Sequence, residues 1–193
     1  MYKLKFRILH TAIIAGIILS ITACSKDNNI DAIFILKSTE FTTTFMTNAQ
    51  YANGFGGCTG ENKSPQLSWE NAPNGTKSFA VTIFDKDANS GAGFNHWLLV
   101  DIPTNTTTLL QDAGNFSGAN IPQGALQTQT DAQVAGYVGV CPPVGETHNY
   151  EITVYALSSN TLGLSSASTP SIVKATIGSK TLASAKITVK ATH

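Results

Sequence analysis

Residues 78–85 read Ser-Phe-Ala-Val-Thr-Ile-Phe-Asp, with Phe79, Val81 and Ile83 alternating against Ala80, Thr82 and Phe84. A period of two with apolar side chains on both sides predicts a strand buried largely on both faces. Residues 97–100 (Trp-Leu-Leu-Val) predict a second strand of this kind, ended at Ile102-Pro103, and 150–157 (Tyr-Glu-Ile-Thr-Val-Tyr-Ala-Leu) a third with strong alternation. Weaker strands are predicted at 32–36, 41–45 and 64–69, and a last one at 185–189. Asn71-Ala72-Pro73-Asn74-Gly75 is a turn, and the glycines at 54, 56, 57 and 60 form a loop around Cys58. A single short helix is predicted over 170–178, with Pro170 in its first turn and Gly178 as its stop. Residues 104–136 show no sustained period, and an irregular stretch of that length has a role or is mobile. The chain is therefore mainly β.

The N-terminal pattern is of another kind. Lys3, Lys5 and Arg7 precede an apolar run over 8–21 that ends at Ala23-Cys24. This is the layout of a secretory signal peptide, and the run is shorter than the roughly 20 residues a spanning helix needs. Ile21-Thr22-Ala23-Cys24 resembles a bacterial lipobox, which implies removal of residues 1–23 and lipid attachment to Cys24. An ordinary signal peptide with an incidental cysteine is the alternative. Residues 24–31 then form the lipidated cysteine and a short polar tether, with Ser25 pointing to the outer membrane. The expected location is the cell envelope, anchored by lipid and facing the periplasm or exported.

Composition narrows the partners. Twelve Lys+Arg balance twelve Asp+Glu, and the charged fraction is 12%, about half the usual ~25%. No basic footprint for nucleic acid exists. With Cys24 set aside, Cys58 and Cys141 remain, an even number for an oxidising compartment. A disulfide between them is expected, and two separate buried thiols are the alternative.

Chemistry concentrates in Phe84-Asp85-Lys86-Asp87-Ala88, Asn95-His96-Trp97 and Thr147-His148-Asn149-Tyr150. Imidazoles can donate N–H bonds to an anion, a carboxylate can fix their tautomer and raise their basicity, and a phenol adds a neutral donor. If these strands meet, they make a small polar pocket. Asp85 and Asp87 could instead cap a turn, and Trp97 reads as core. His10 lies in the signal and His193 at the terminus, so neither is a candidate. Two His and two Asp have the right ligand types for zinc, but their spacing is not diagnostic and no metal is expected. A Ser such as Ser90 with Asp and His suggests a hydrolase triad, yet no nucleophile elbow appears. No cofactor is expected.

In order and spacing, several segments resemble the phosphatidylethanolamine-binding proteins, specifically the bacterial Raf-kinase-inhibitor-like branch. They are Ser-Pro-Gln-Leu-Ser-Trp at 64–69, Ala-Pro-Asn-Gly-Thr-Lys-Ser-Phe-Ala at 72–80, Phe-Asp-Lys-Asp-Ala at 84–88, His96-Trp97, Ile102-Pro103, Gly-Tyr-Val-Gly-Val-Cys-Pro-Pro-Val-Gly at 136–145, and His148-Asn149-Tyr150 leading to Tyr155-Ala156-Leu157. The resemblance covers about residue 41 to the end and implies a domain over 32–193. Its implied fold is a sandwich-like core of two antiparallel sheets with a few short peripheral helices.

The resemblance also implies a non-enzymatic pocket for phosphate groups or other small anions, including phospholipid head groups. By position it assigns Asp85, Asp87, His96, His148 and Tyr150 to that pocket, and Gly139, Cys141 and Pro142 to the loop lining it. The anion would take N–H bonds from both imidazoles and from loop amides, with affinity rising as pH falls through about 6.5. A disulfide at Cys141 would brace the rim. Lys86 and Asn89 stand where the family has Pro, which implies a less rigid loop, and Asn149 stands where it has Arg. The C-terminal stretch reads as a strand, so gating by a C-terminal helix is not implied. The alternative function is a protein-interaction module that modulates a kinase or protease, with 104–136 as its contact surface.

Overall fold

A computed structural model describes residues 32–41 and 45–193. The expected signal peptide, Cys24 and its tether, and the middle of the predicted 41–45 strand lie outside the described residues. In chain order the elements are β1 (Ile35–Lys37), β2 (Leu67–Glu70), β3 (Ser78–Asp85), β4 (Phe94–Pro103), β5 (Thr108–Leu109), β6 (Leu126–Gln127), β7 (Thr147–Leu157), α1 (Pro170–Lys180) and β8 (Thr181–Thr192). Two antiparallel sheets result, one ordered β1-β2-β5 and the other β6-β4-β3-β7-β8.

The alternation in β3 divides the interior in two. Phe79, Val81 and Ile83 face the small sheet and pack with Leu67, Trp69 and Leu109. Ala80 faces the other way, where Leu98, Val100 and Leu157 meet Val173 and Ile177 of α1. Burial on both sides explains why β3 is apolar throughout. Each fully buried Leu, Ile or Val contributes about 1.5–3 kcal/mol, so the sheets are held mainly by this double layer.

The helix end and the last strand depart from the sequence reading for reasons the contacts show. The helix passes Gly178 and stops at Lys180, because its terminal carbonyls find donors without a glycine turn. The Ser158 amide bonds the Lys180 carbonyl at 2.8 Å, and Thr181 Oγ1 donates to the Ile177 carbonyl at 2.8 Å. The final strand is also far longer than 185–189, pairing with β7 from Thr147↔Thr192 to Leu157↔Thr181. Its burial alternates from one residue to the next along the exposed sheet edge, and small Ala and Thr residues weaken the apolar contrast on which a periodicity reading depends.

Residues 104–136, which show no sustained period in the sequence, contribute the short strands β5 and β6, one to each sheet, and are not a loose appendage. Within them Ala113, Thr128 and Thr130 are buried. A Cβ on Gly114 would lie 2.7–2.9 Å from Tyr137, Ser64 and Trp97, which shows how tightly the segment is packed.

Candidate functional site

Asp85 ends β3, and in the β3–β7 ladder it lies opposite Tyr150. His148 is two residues before Tyr150, so it shares that face and sits diagonal to Asp85. His148 Nδ1 is 2.7 Å from Asp85 Oδ2, with the two side chains only 8% and 4% exposed. The other ring nitrogen, Nε2, is 3.0 Å from Glu146 Oε2 on a side chain 58% exposed. Carboxylates only accept, so an imidazole held between two of them carries both protons. Burial pushes the His148 pKa down, but the bonds to Asp85 and Glu146 outweigh it and hold the group above its ordinary value.

Asp85 serves as turn cap and imidazole partner at once. Its Oδ1 accepts the backbone amides of Asp87 at 2.9 Å and Ala88 at 3.1 Å. The loop is therefore tied back to the strand end by hydrogen bonds from its own backbone. Asp87 adds a second tie, accepting the Asn149 amide at 2.6 Å and its side-chain Nδ2 at 2.9 Å. Those bonds lower the Asp87 pKa. Asn149 is thus a loop anchor.

His96 reaches the same hollow through a bulge. Ile83 pairs with Trp97 and Phe84 with Asn95, which leaves His96 as an extra residue in β4 and re-aims its side chain. Its Nδ1 lies 2.7 Å from the Val138 carbonyl, so that nitrogen is the donor and Nε2 bears a lone pair. Burial lowers its pKa. The ring also meets Phe94 at 4.8 Å and the edge of Tyr150 at 5.4 Å.

The 136–145 loop closes the site. The Val138 amide bonds the His96 carbonyl at 2.9 Å and the Val140 amide the Gln50 carbonyl at 3.1 Å. The Gly139 amide bonds Asn62 Oδ1 at 2.7 Å. Cys141 forms the disulfide with Cys58 across a separation of 83 residues. His193 joins this rim, with Nδ1 donating to the Pro142 carbonyl at 3.0 Å and lying 3.8 Å from Cys141 Sγ. The ligand atoms of Cys58, Cys141 and His193 lie within 4.8 Å of one another, but sulfurs bonded to each other cannot serve as thiolates for a metal.

These elements enclose a cavity of about 570 Å³. Of the residues singled out in the sequence, Asp85, His96, Gly139, Cys141 and His148 line it. Asp87, Pro142 and Tyr150 are not among its lining residues. Asp87 is spent on Asn149, and the carbonyl of Pro142 is spent on His193, leaving Pro143 at the wall. Tyr150 is fully buried behind the site. Its hydroxyl has no hydrogen-bond partner among the described residues, and burial with the nearby Asp85 charge raises its pKa.

The expected donor set needs correction. Both His148 nitrogens are engaged by carboxylates, His96 offers an acceptor, and the amides of Val138, Val140 and Gly139 are already bonded. Glu146 was missed, although it shares a strand-face period with His148 two residues on. Also missed was the apolar side of the cavity, where Phe55, Phe116 and Val134 are 70%, 58% and 41% exposed. No pattern in the sequence joins three such distant positions. The segment 104–136 supplies Phe116 and Val134, so it is a wall of the cavity.

Comparison with known proteins agrees with this architecture. A family model described as phosphatidylethanolamine-binding protein matches residues 39–192. The UPF0098 protein YbcL of Escherichia coli strain K12 is 42% identical over 144 residues, covering 74% of this chain and 78% of its own. YbhB of the same organism is 43% identical over 136 residues, covering 70% and 85%. The crystal structure of E. coli YbcL, described as a new member of the mammalian PEBP family, superposes with a TM-score of 0.80 at 40% identity, covering 84% of this chain and 99% of that one.

Proposed function

Because this chain belongs to the phosphatidylethanolamine-binding protein family, we propose that its cavity binds, without catalysis, a small ligand with a phosphate-bearing or similarly anionic head. The family fold supports a small-ligand-binding or regulatory role in general. The observation that carries the finer reading is His148, backed at 2.7 Å by Asp85 and already holding an oxyanion, the Glu146 carboxylate, at 3.0 Å on its outer nitrogen. A phosphate oxygen has the same acceptor chemistry at that position. The exposed Phe55, Phe116 and Val134 favour a ligand whose head continues into an apolar portion, such as a phospholipid.

The 1–24 sequence supports export with a lipid on Cys24, and the tether over 24–31 would keep the cavity close to a bilayer surface. Titration calorimetry with inorganic phosphate and O-phosphoethanolamine at neutral pH tests the reading. The wild type should bind, and His148→Gln should lose at least tenfold in affinity, since a charge-assisted bond is the strong kind. A wild type that binds neither compound would end the proposal.

A further inference from the structure

The cavity has an unexpected charge pattern. Its lining includes no Lys or Arg, and the His148 cation is flanked by two carboxylates. Glu146 is not itself among the lining residues, and an anion that reaches from the cavity to the outer nitrogen of His148 meets a position already filled. The two carboxylates differ in kind. Asp85 is buried and tied to two backbone amides as well as to the ring. Glu146 is more than half exposed, and its side chain has this ring as its one hydrogen-bonding partner among the described residues.

The backbone beneath Glu146 is fixed. Its amide bonds the Pro143 carbonyl at 3.0 Å, closing a turn in which Gly145 has φ +83°, the geometry of a type II turn. The His193 amide bonds the Glu146 carbonyl at 3.2 Å, and the next residue, Thr147, is already in the ladder with Thr192. Departure of the carboxylate therefore needs a side-chain rotation into solvent and no loop movement.

We propose that Glu146 is an internal competitor for the anion subsite, its carboxylate occupying the outer ring nitrogen of His148 until a ligand phosphate displaces it by rotating the side chain outward. This rests on the anion reading above and adds what limits it. Affinity is set by the difference between phosphate and Glu146 at one donor, so weak anions are refused and multiply charged ones admitted. Asp85 stays in place throughout as the positioning partner.

The test compares phosphate binding by calorimetry in wild type, Glu146→Gln, Glu146→Ala and Glu61→Gln. Glu61 adjoins the cavity residue Asn62 and pairs with Lys63 at 2.6 Å, so it controls for simple loss of a negative charge. Breaking the half-exposed Glu146–His148 pair predicts a gain of about two- to fivefold in the Glu146 variants. Ala should gain at least as much as Gln, whose amide oxygen still accepts the N–H, and Glu61→Gln should change little. Phosphate should also move the Glu146 carboxyl carbon resonance of the wild type and leave that of Glu61 in place. Wild-type binding with no gain in either Glu146 variant over Glu61→Gln overturns the competitor and leaves the binding reading intact. Absence of binding in every variant overturns the binding reading and the competitor with it. Binding by the Glu146 variants alone overturns the binding reading for the wild type and, with it, displacement of Glu146 by phosphate.

Discussion

Asp85 and His148 are 63 residues apart in the chain and 2.7 Å apart in the fold. The pairing of β3 with β7 causes this contact, which places an ionised ring at the mouth of a cavity otherwise lined by neutral and acidic groups.

The two imidazoles give folding stability opposite slopes with pH. His148 has a raised pKa, so its contribution is complete below the unfolded value near 6.5 and is lost as pH rises through the folded value. His96 has a lowered pKa, so the unfolded chain takes the extra proton as pH falls below about 6.5, and stability drops there. Urea unfolding across pH should show a maximum near 6.5. His148→Gln should remove the falling limb above it and His96→Gln the limb below.

Phosphate affinity should follow His148 alone. Once corrected for the ligand's own second ionisation, at about 6 for a phosphate monoester, it should stay level through about pH 6.5 and decline only where the raised His148 value is crossed. Calorimetry over pH 5.5–9, a range chosen to span roughly the ordinary and raised values, checks this. A midpoint near 6.5 would instead indicate an imidazole free of its carboxylate partners.

Loss of the disulfide should be costly. With a separation of 83 residues between Cys58 and Cys141, the chain-entropy model gives about 4–5 kcal/mol. The double variant Cys58→Ser, Cys141→Ser should unfold at markedly lower denaturant, and reduced wild type should match it.

Gly139→Ala should damage fold and site together. An added Cβ would fall 2.4 Å from the Ala52 amide nitrogen, backbone that cannot yield, so overpacking of about 1–3 kcal/mol is expected. The shift would also pull the Gly139 amide from Asn62. Thermal melting reads the first effect and phosphate titration the second.

The apolar wall separates two parts of a ligand. Phe55→Ser with Phe116→Ser should leave inorganic phosphate binding unchanged while weakening short-chain phospholipid binding about tenfold or more, since two exposed aromatic faces would no longer be covered. Equal losses for both probes would show that the wall shapes the head-group site itself.

Strands with strong alternation were legible in the chain, and β3 matches its expected bounds because both its faces are apolar. The helix end and β8 were misjudged where termination depended on partners elsewhere, Ser158 in one case and β7 in the other. At the site, residue types located Asp85, His96 and His148, while their states were hidden. Which nitrogen is occupied depends on contacts such as Val138 to His96 and Glu146 to His148, and a linear sequence records no such pairing. Asp87 had the right chemistry and a different duty, because the backbone and side-chain amides of Asn149 bond its carboxylate just past the end of the ladder.

The bulge at His96 places ladder regularity and ligand recognition in opposition. Deleting one residue there would let β4 run in unbroken register with β3 beyond Ile83, a gain for the sheet, and would turn the imidazole out of the hollow. Stabilising designs that smooth this strand should therefore yield sturdier proteins with a blind cavity.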